Sequence, residues 1–213
     1  MDITSRFSST QGSREQHLNK LLAKEIVDNH EEEFIHQINK VLLSGAKLDI
    51  IADALKVIEM VGQAKPEMVK MTLSSVMKLL DHKSNKIQWR AMSALSTFGH
   101  LSLKLIYEEL GKILMIMDAG SVITRDHGIK LLVAMYQQPE WQNDLASLLE
   151  EQLLAAPDNQ LGQYAEKWLE VITPAHHSRL KHILEGRLPE LVSPSHQKRI
   201  SRVLKKLEKQ RQK

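Results

Sequence analysis

Small and apolar residues return along this chain every 37 positions. The first of these columns holds the small residues Ala54, Ala91, Gly128 and Ala165. Four positions later comes a column of large apolar residues: Ile58, Leu95, Leu132 and Leu169. Seven positions later comes another: Val61, Phe98, Met135 and Ile172. Offsets of 0, +4 and +7 lie on one face of an α-helix. The pattern predicts four similar helices, in which the small residue lets a second helix approach closely.

Two adjacent apolar columns precede the small residue in every copy: Leu42-Leu43, Leu79-Leu80, Ile116-Met117 and Leu153-Leu154. Turn-forming residues follow them, so each copy is predicted to be two helices joined by a short turn, and Gly62 is predicted to end the second helix of the first copy. Neither helix can bury its apolar face alone, so neighbouring copies must stack. The predicted units are about residues 31–62, 65–99, 101–137 and 139–173.

The second helix of the second unit, Ile87-Gln-Trp-Arg-Ala-Met-Ser-Ala-Leu-Ser-Thr-Phe-Gly99, resembles the HEAT-repeat family. The resemblance extends over about residues 31–173. In the third unit, Asp118 and Arg125 also match the family's Asp after the first helix and basic residue early in the second. The resemblance implies an all-α fold, a right-handed solenoid of about four HEAT-like helical pairs with capping helices, in which the second helices line a concave surface.

The segments that flank the repeats differ from them in composition. Residues 1–14 are rich in Ser and Thr without a sustained period, and we expect them to be disordered. Residues 15–192 are predicted to form a single HEAT-like domain that begins with a capping helix. Residues 193–213 are predicted to form a basic amphipathic helix. From His196 to Lys213 there are eight Lys or Arg residues and one acidic residue, whereas the other 195 residues contain 21 basic and 25 acidic residues.

Composition excludes several kinds of chemistry. The chain has 213 residues and no cysteine, so it has no disulfide, zinc–thiolate site or cysteine nucleophile. Its histidines lack the spacing of a zinc-binding helix, and no metal or cofactor is expected. The first residues lack the apolar core of a secretory signal, so no leader is expected, and no apolar stretch reaches membrane-spanning length. We therefore expect a cytoplasmic protein that is not an integral membrane protein.

Charged residues on the second helices form a candidate binding stripe. Positions one before and two after the small residue are predicted to lie on the concave surface, with Trp89 beside them. Its members are Trp89, Arg90, His127, Lys130 and Lys167. Such a stripe is suited to an acidic peptide or a phosphate backbone. The alternative is an ordinary solvated helix face, since these residue types are common on surfaces.

The C-terminal helix carries a second candidate set. Its basic residues are Lys198, Arg199, Arg202, Lys205, Lys206 and Lys209. One interpretation is that the apolar side of the helix packs on the last repeat. The other is a free arm that binds nucleic acid, an acidic protein or an anionic membrane.

No catalytic signature accompanies the repeats. The leading hypothesis is a non-enzymatic scaffold that binds a protein partner on the concave face. The alternative is a nucleic-acid-binding protein that uses the stripe and the basic helix. A third hypothesis, from the DNA-glycosylase branch of HEAT-like folds, assigns Asp118, Arg125 and Asp126 to base release.

Overall fold

Helices account for all regular structure in the residues that the computed structural model describes, 2–13 and 16–211, and no strand occurs among them. The fold is therefore all-α, as the sequence predicts. The α-helices are α1 (His17–Asn29), α2 (Glu32–Leu43), α3 (Leu48–Ala64), α4 (Pro66–Val69), α5 (Leu73–Leu79), α6 (Asn85–Phe98), α7 (Leu103–Glu108), α8 (Leu110–Ala119), α9 (Val122–Tyr136), α10 (Gln142–Leu154), α11 (Asp158–Leu169), α12 (His177–Arg187) and α13 (Pro194–Arg211). Short 3-10 helices occupy Ile3–Arg6, Lys70–Thr72, Gly99–Ser102, Pro139–Trp141, Pro174–His176 and Leu188–Glu190.

Each predicted repeat corresponds to a first helical layer followed by a long second helix. The second helices are α3, α6, α9 and α11, and the first layers of the first and last repeats are the single helices α2 and α10. In the second repeat the first layer is divided into α4 and α5 by the 3-10 turn Lys70–Thr72, and in the third it is divided into α7 and α8. The 37-residue period does not predict these interruptions, because it records only the spacing of a few small and apolar residues in each copy.

The small-residue column lies at the centre of the packing. Ala54, Ala91 and Ala165 are all fully buried. At Gly128 a β-carbon would lie only 2.3 Å from Sδ of Met117. Because α9 approaches α8 this closely, no larger residue fits at this position without displacing the methionine.

Polar contacts between neighbouring copies join residues that are 37 positions apart. The side-chain amide of Gln16 donates to Asp53 at 3.2 Å, and the Lys86 amine lies 2.5 Å from Asp49. In the last copies, the hydroxyl groups of Tyr136 and Thr173 lie 3.1 Å apart. Equivalent positions of successive copies therefore lie side by side in these pairs, and the first pair extends the register upstream of the first predicted repeat.

The chain divides into two compact lobes, residues 1–128 and residues 129–213. The boundary falls within α9, which contributes residues to both lobes. The single domain predicted over residues 15–192 stays a prediction.

The predicted disorder of residues 1–14 is wrong for residues 2–13; Met1 and Arg14 lie outside the described residues. The side chains of Ile3 and Phe7 are at most 1% exposed. The amide of Ser8 donates to Asn19, and Arg6 forms a bidentate ion pair with Glu25. The sequence does not predict this ordered segment, because two apolar residues four positions apart are too few to establish a period.

The C-terminal helix packs inside its own lobe. α13 lies against α11 and α12, and its residues Ile200, Val203 and Leu207 are buried. Arg199 forms two hydrogen bonds to the carboxylate of Glu166 on α11, at 2.9 and 2.6 Å. Of the two interpretations of this helix, the packed one is what the structure contains.

None of the described helices combines the length and the apolar character that are needed to cross a bilayer.

Candidate functional site

The stripe predicted on the second helices begins with Trp89 and Arg90 on α6. The guanidinium of Arg90 stacks on the Trp89 ring, 4.3 Å from its centroid. The Arg90 side chain is only 13% exposed, and its Nη1 lies 3.9 Å from a carboxylate oxygen of Glu59 on α3. Arg90 is therefore directed into the contact between two repeats, and its predicted position on the solvent side is wrong.

Buried carboxylates surround this arginine. Desolvation lowers the pKa of Arg90 from its ordinary value, and the charges of Glu59 and Asp53 oppose that change. Glu59 also accepts a hydrogen bond from Lys56 at 2.9 Å. Asp53 accepts from the backbone amide of Ser9 at 2.8 Å. The cluster is thus internally compensated, and its geometry is that of a structural ion network.

His127 repeats the arrangement of Arg90 one copy later. Its Nδ1 lies 2.9 Å from the hydroxyl of Ser96. Ser96 and His127 lie 37 positions after Glu59 and Arg90, so the same pair of columns is in contact in two successive copies. The column one position before the small residue is therefore a contact column between second helices, which the sequence did not reveal.

The remaining members of the predicted stripe belong to the C-terminal lobe. Lys130 on α9 is exposed, and Lys167 on α11 is half-buried with its amine 5.9 Å from the centre of the Tyr164 ring. The structure brings Trp89 and Arg90 together in the N-terminal lobe, with His127 in the equivalent position of the next copy. Whether any of these five residues binds a partner stays a prediction.

The basic residues of α13 divide into two groups. Arg199 is held by Glu166, whereas Lys198, Arg202, Lys205, Lys206 and Lys209 are exposed. The hydrogen bonds from Arg199 lower the pKa of Glu166; desolvation opposes this, and the nearby charges of Lys206 and Arg202 lower it further. Most of the predicted tail cations therefore remain at the surface after the helix has packed.

An apolar concavity of about 320 Å³ lies between the first layers of the second and third repeats. We call it the apolar groove and define it by its lining residues: Leu73, Ser74, Met77 and Lys78 of α5, Leu105 and Glu108 of α7, and Glu109 and Lys112 at the start of α8. Leu105 is 52% exposed inside this groove. An exposed leucine within a concave apolar surface is a feature of interaction sites.

Charged residues form the rim of the apolar groove. Lys112 is paired with Asp81 at 2.5 Å and approaches Glu109 at 4.0 Å. Within residues 2–13 and 16–211, neither Lys78 nor Glu108 has an ion-pair partner. The groove therefore combines apolar lining residues with one charge of each sign that lacks an ion pair, Lys78 on α5 and Glu108 on α7.

The base-release hypothesis names Asp118 on α8 and Arg125 and Asp126 on α9. The side chain of Asp118 is exposed, and Arg125 reaches only the backbone carbonyl of Asp118, at 3.5 Å. Across the described part of the chain, no group of three or more histidine, aspartate or glutamate side chains is arranged to hold a metal ion. The base-release hypothesis stays a prediction.

Comparison with known proteins extends the description of the fold. No protein-family model and no curated protein sequence matches the chain. One similar crystal structure is an engineered protein from the Northeast Structural Genomics Consortium, with a TM-score of 0.59, 13% identity and 98% of each chain covered. A second engineered protein from that consortium has a TM-score of 0.57 and 12% identity over 97% of this chain and 58% of its own. At these identities the likeness concerns the fold alone.

The apolar groove was not predicted from the sequence. Its residues Met77 and Leu105 fall outside all the repeated apolar columns. Position relative to the columns does not distinguish surface from core, because off-column residues such as Val76 are fully buried whereas the column residue Leu43 is 54% exposed.

Proposed function

We propose that this chain is a right-handed α-solenoid of HEAT-like units that acts as a non-enzymatic scaffold for a protein partner. The proposal is supported by the contacts that recur at the 37-residue spacing, such as Asp49 with Lys86 and Tyr136 with Thr173. Stacked helical pairs provide long grooves, and binding partners in such grooves is a common use of repeat architectures.

The observation that carries the proposal is the exposed Leu105 in the apolar groove. Protein interfaces are centred on apolar residues and surrounded by a polar rim. This groove has that composition, with Leu73 and Met77 on its floor and Lys78 and Glu108 at its edge. Met115, one helical turn beyond Lys112, is 73% exposed and extends the apolar surface along α8.

We infer that the occupant is an amphipathic helix of the partner. Such a helix places apolar side chains at i, i+3 or i+4, and i+7 into a groove between packed helices. The uncompensated charges of Lys78 and Glu108 favour a helix with an acidic residue on one flank and a basic residue on the other. The proposed binding site is therefore on the first helices of the repeats, whereas the predicted stripe lies on the second helices.

The test compares two exposed leucines. A phage-displayed library of amphipathic helical peptides is selected against the wild-type protein and counter-selected against Leu105→Lys. The selected peptide is then measured by fluorescence polarisation. Leu43 on α2 is 54% exposed and lies outside the groove, so Leu43→Lys is the matched control.

We expect Leu105→Lys to weaken peptide binding about 10- to 100-fold, since a buried leucine contributes about 1.5–3 kcal/mol. Leu43→Lys is expected to leave the affinity unchanged. If selection yields no peptide that discriminates the two leucine variants, the groove is not the binding site.

A further inference from the structure

Four cations of α13 share one face of the helix. Lys198, Arg202, Lys205 and Lys209 are separated by four, three and four positions. At about 100° per residue they fall within a sector of roughly 60°. The buried side of α13, formed by Ile200, Val203 and Leu207, points the opposite way. We call these four residues the basic face, and packing of the apolar side holds it toward solvent.

The cations of the basic face lack close ion-pair partners, although the charge of Arg202 contributes to the lowered pKa of Glu166. Within residues 2–13 and 16–211, none of its four cations takes part in an ion pair. The neighbouring carboxylates already have other partners. Arg199 binds Glu166, and the amine of Lys181 lies 3.5 Å from Glu208. A rigid helix therefore presents four positive charges, while the adjacent acidic residues are held by other cations.

We propose that the basic face binds the phosphate backbone of duplex DNA without reading its sequence. From Lys198 to Lys209 the helix rises about 16 Å, at 1.5 Å per residue. Along each strand of B-DNA the phosphates are separated by about 3.4 Å of helix axis, so about five of them lie beside this length. Each of the four cations can then reach a different phosphate. Contacts of this kind position a protein on DNA but carry no sequence information.

Other anionic partners fit the basic face less well. Single-stranded nucleic acid is bound by aromatic side chains that stack on the bases, and α13 contains no Phe, Tyr or Trp. An interfacial helix inserts its apolar side into a membrane, but here that side is buried in the lobe. An acidic protein surface would need apolar residues at the interface centre, and the basic face has none.

The test measures binding of the full-length protein to a labelled 20-base-pair DNA duplex by fluorescence anisotropy between 50 and 200 mM NaCl. With four phosphates neutralised, the plot of log K against log salt should have a slope of about −3.6, so that affinity falls roughly 150-fold over this range. Replacing Lys198, Arg202, Lys205 and Lys209 with Gln should abolish both the binding and its salt dependence.

A matched control removes four exposed lysines of the N-terminal lobe: Lys20, Lys40, Lys70 and Lys83. Replacing these four lysines with Gln gives the control variant the same net charge as the basic-face variant. The control variant should retain the wild-type slope. Should the fourfold basic-face variant fold poorly by circular dichroism, the single variants Arg202→Gln and Lys205→Gln decide the question. Each should reduce the magnitude of the slope by about 0.9.

Several results would overturn the proposal. One is that the wild-type protein does not bind DNA at 50 mM NaCl. Another is that the control variant loses as much DNA affinity as the basic-face variant. A third is that the single variants keep the wild-type slope. The proposal also fails if poly-glutamate or vesicles of anionic phospholipid displace the duplex at matched charge concentration, because the face would then recognise negative charge of any kind.

Discussion

The hydroxyl of Tyr136 lies 2.8 Å from Nδ1 of His176. The other ring nitrogen, Nε2, lies 3.1 Å from Oδ1 of Asn143, an atom that can only accept. Nε2 therefore carries the proton, and Nδ1 accepts from the tyrosine hydroxyl. The same hydroxyl oxygen accepts a hydrogen bond from the backbone amide of Thr173 at 3.1 Å. With Nδ1 as an acceptor the imidazole is neutral, and the network links α9 and α10 to the segment that follows α11.

This geometry predicts that acid destabilises the C-terminal lobe. Burial lowers the pKa of His176, nearby Arg179 lowers it further, and Glu150 opposes them. Because the folded-state pKa lies below the unfolded value of about 6.5, the contribution to stability is complete above pH 6.5 and is lost as pH falls from there toward the folded-state pKa. Urea unfolding at pH 7.5 and 5.5 should show this loss.

The variant His176→Asn isolates the histidine from other titrating groups. Between pH 7.5 and 5.5 its free energy of unfolding should change less than that of the wild-type protein. One proton accounts for at most about 1.4 kcal/mol per pH unit of the difference. Equal pH dependence in the two proteins would show that His176 does not titrate differently on folding.

A second prediction concerns the close approach of α8 and α9. In Gly128→Ala the new methyl group would lie 2.3 Å from Sδ of Met117, so we expect a loss of about 1–3 kcal/mol in the free energy of unfolding. Gly186→Ala in α12 is the control, because nothing lies within 4 Å of its added carbon. That substitution should stabilise the protein by about 0.5–1 kcal/mol. Urea denaturation of both variants provides the comparison, and destabilisation by both would contradict the packing argument.

A third prediction concerns the C-terminal end of α10. The guanidinium of Arg187 donates to the backbone carbonyls of Leu153, Leu154 and Ala156 at 3.0, 2.7 and 3.0 Å. These carbonyls lie where a helix runs out of internal donors, and the positive charge is favourable there. Arg187→Met should therefore lower the free energy of unfolding by about 2–3 kcal/mol.

Arg187→Lys separates charge from geometry. A lysine amine is a compact charge on a flexible stem and does not reproduce the planar fork that meets three carbonyls. We expect it to recover less than half of the loss in thermal unfolding experiments. Full recovery would mean that the charge alone stabilises the end of α10.

The repeated core of this fold was predictable from sequence because packing constrains it periodically. Ala54, Ala91 and Ala165 are fully buried as their spacing predicts. The role of Gly62 was not predictable in the same way. It was expected to end a helix, but α3 continues to Ala64, and a β-carbon at Gly62 would lie 2.3 Å from Oγ1 of Thr97. A glycine that is needed for close approach and one that ends a helix look alike in sequence.

The candidate sites were less predictable than the core. Counting along a single helix predicts Arg90 on the solvent side. In the structure, however, Arg90 on α6 faces Glu59 on the neighbouring helix α3. Asp53 and Tyr164 in the same column are buried, at 3% and 2% exposure. The basic residues of α13 can be listed from the sequence, yet only the structure separates Arg199, which is paired with Glu166, from the exposed cations.

The last prediction concerns the N-terminal segment, where substitutions of Phe7 and Arg6 should differ sharply in their effect on the free energy of unfolding. Phe7 is fully buried, so Phe7→Ala should lower the free energy of unfolding by about 3–5 kcal/mol. Arg6 pairs with Glu25 and lies 5.4 Å from the centre of the Phe34 ring, but its side chain is 28% exposed. Arg6→Ala should therefore cost only about 1 kcal/mol.

Hydrogen exchange locates this effect in the segment. The amides of Ser8 and Ser9 donate to Asn19 and Asp53, so both should be protected in the wild-type protein and in Arg6→Ala. Both should lose protection in Phe7→Ala, because the segment is then no longer held by its buried ring. Free exchange of these amides in the wild-type protein would instead support the sequence-based prediction that residues 1–14 are disordered.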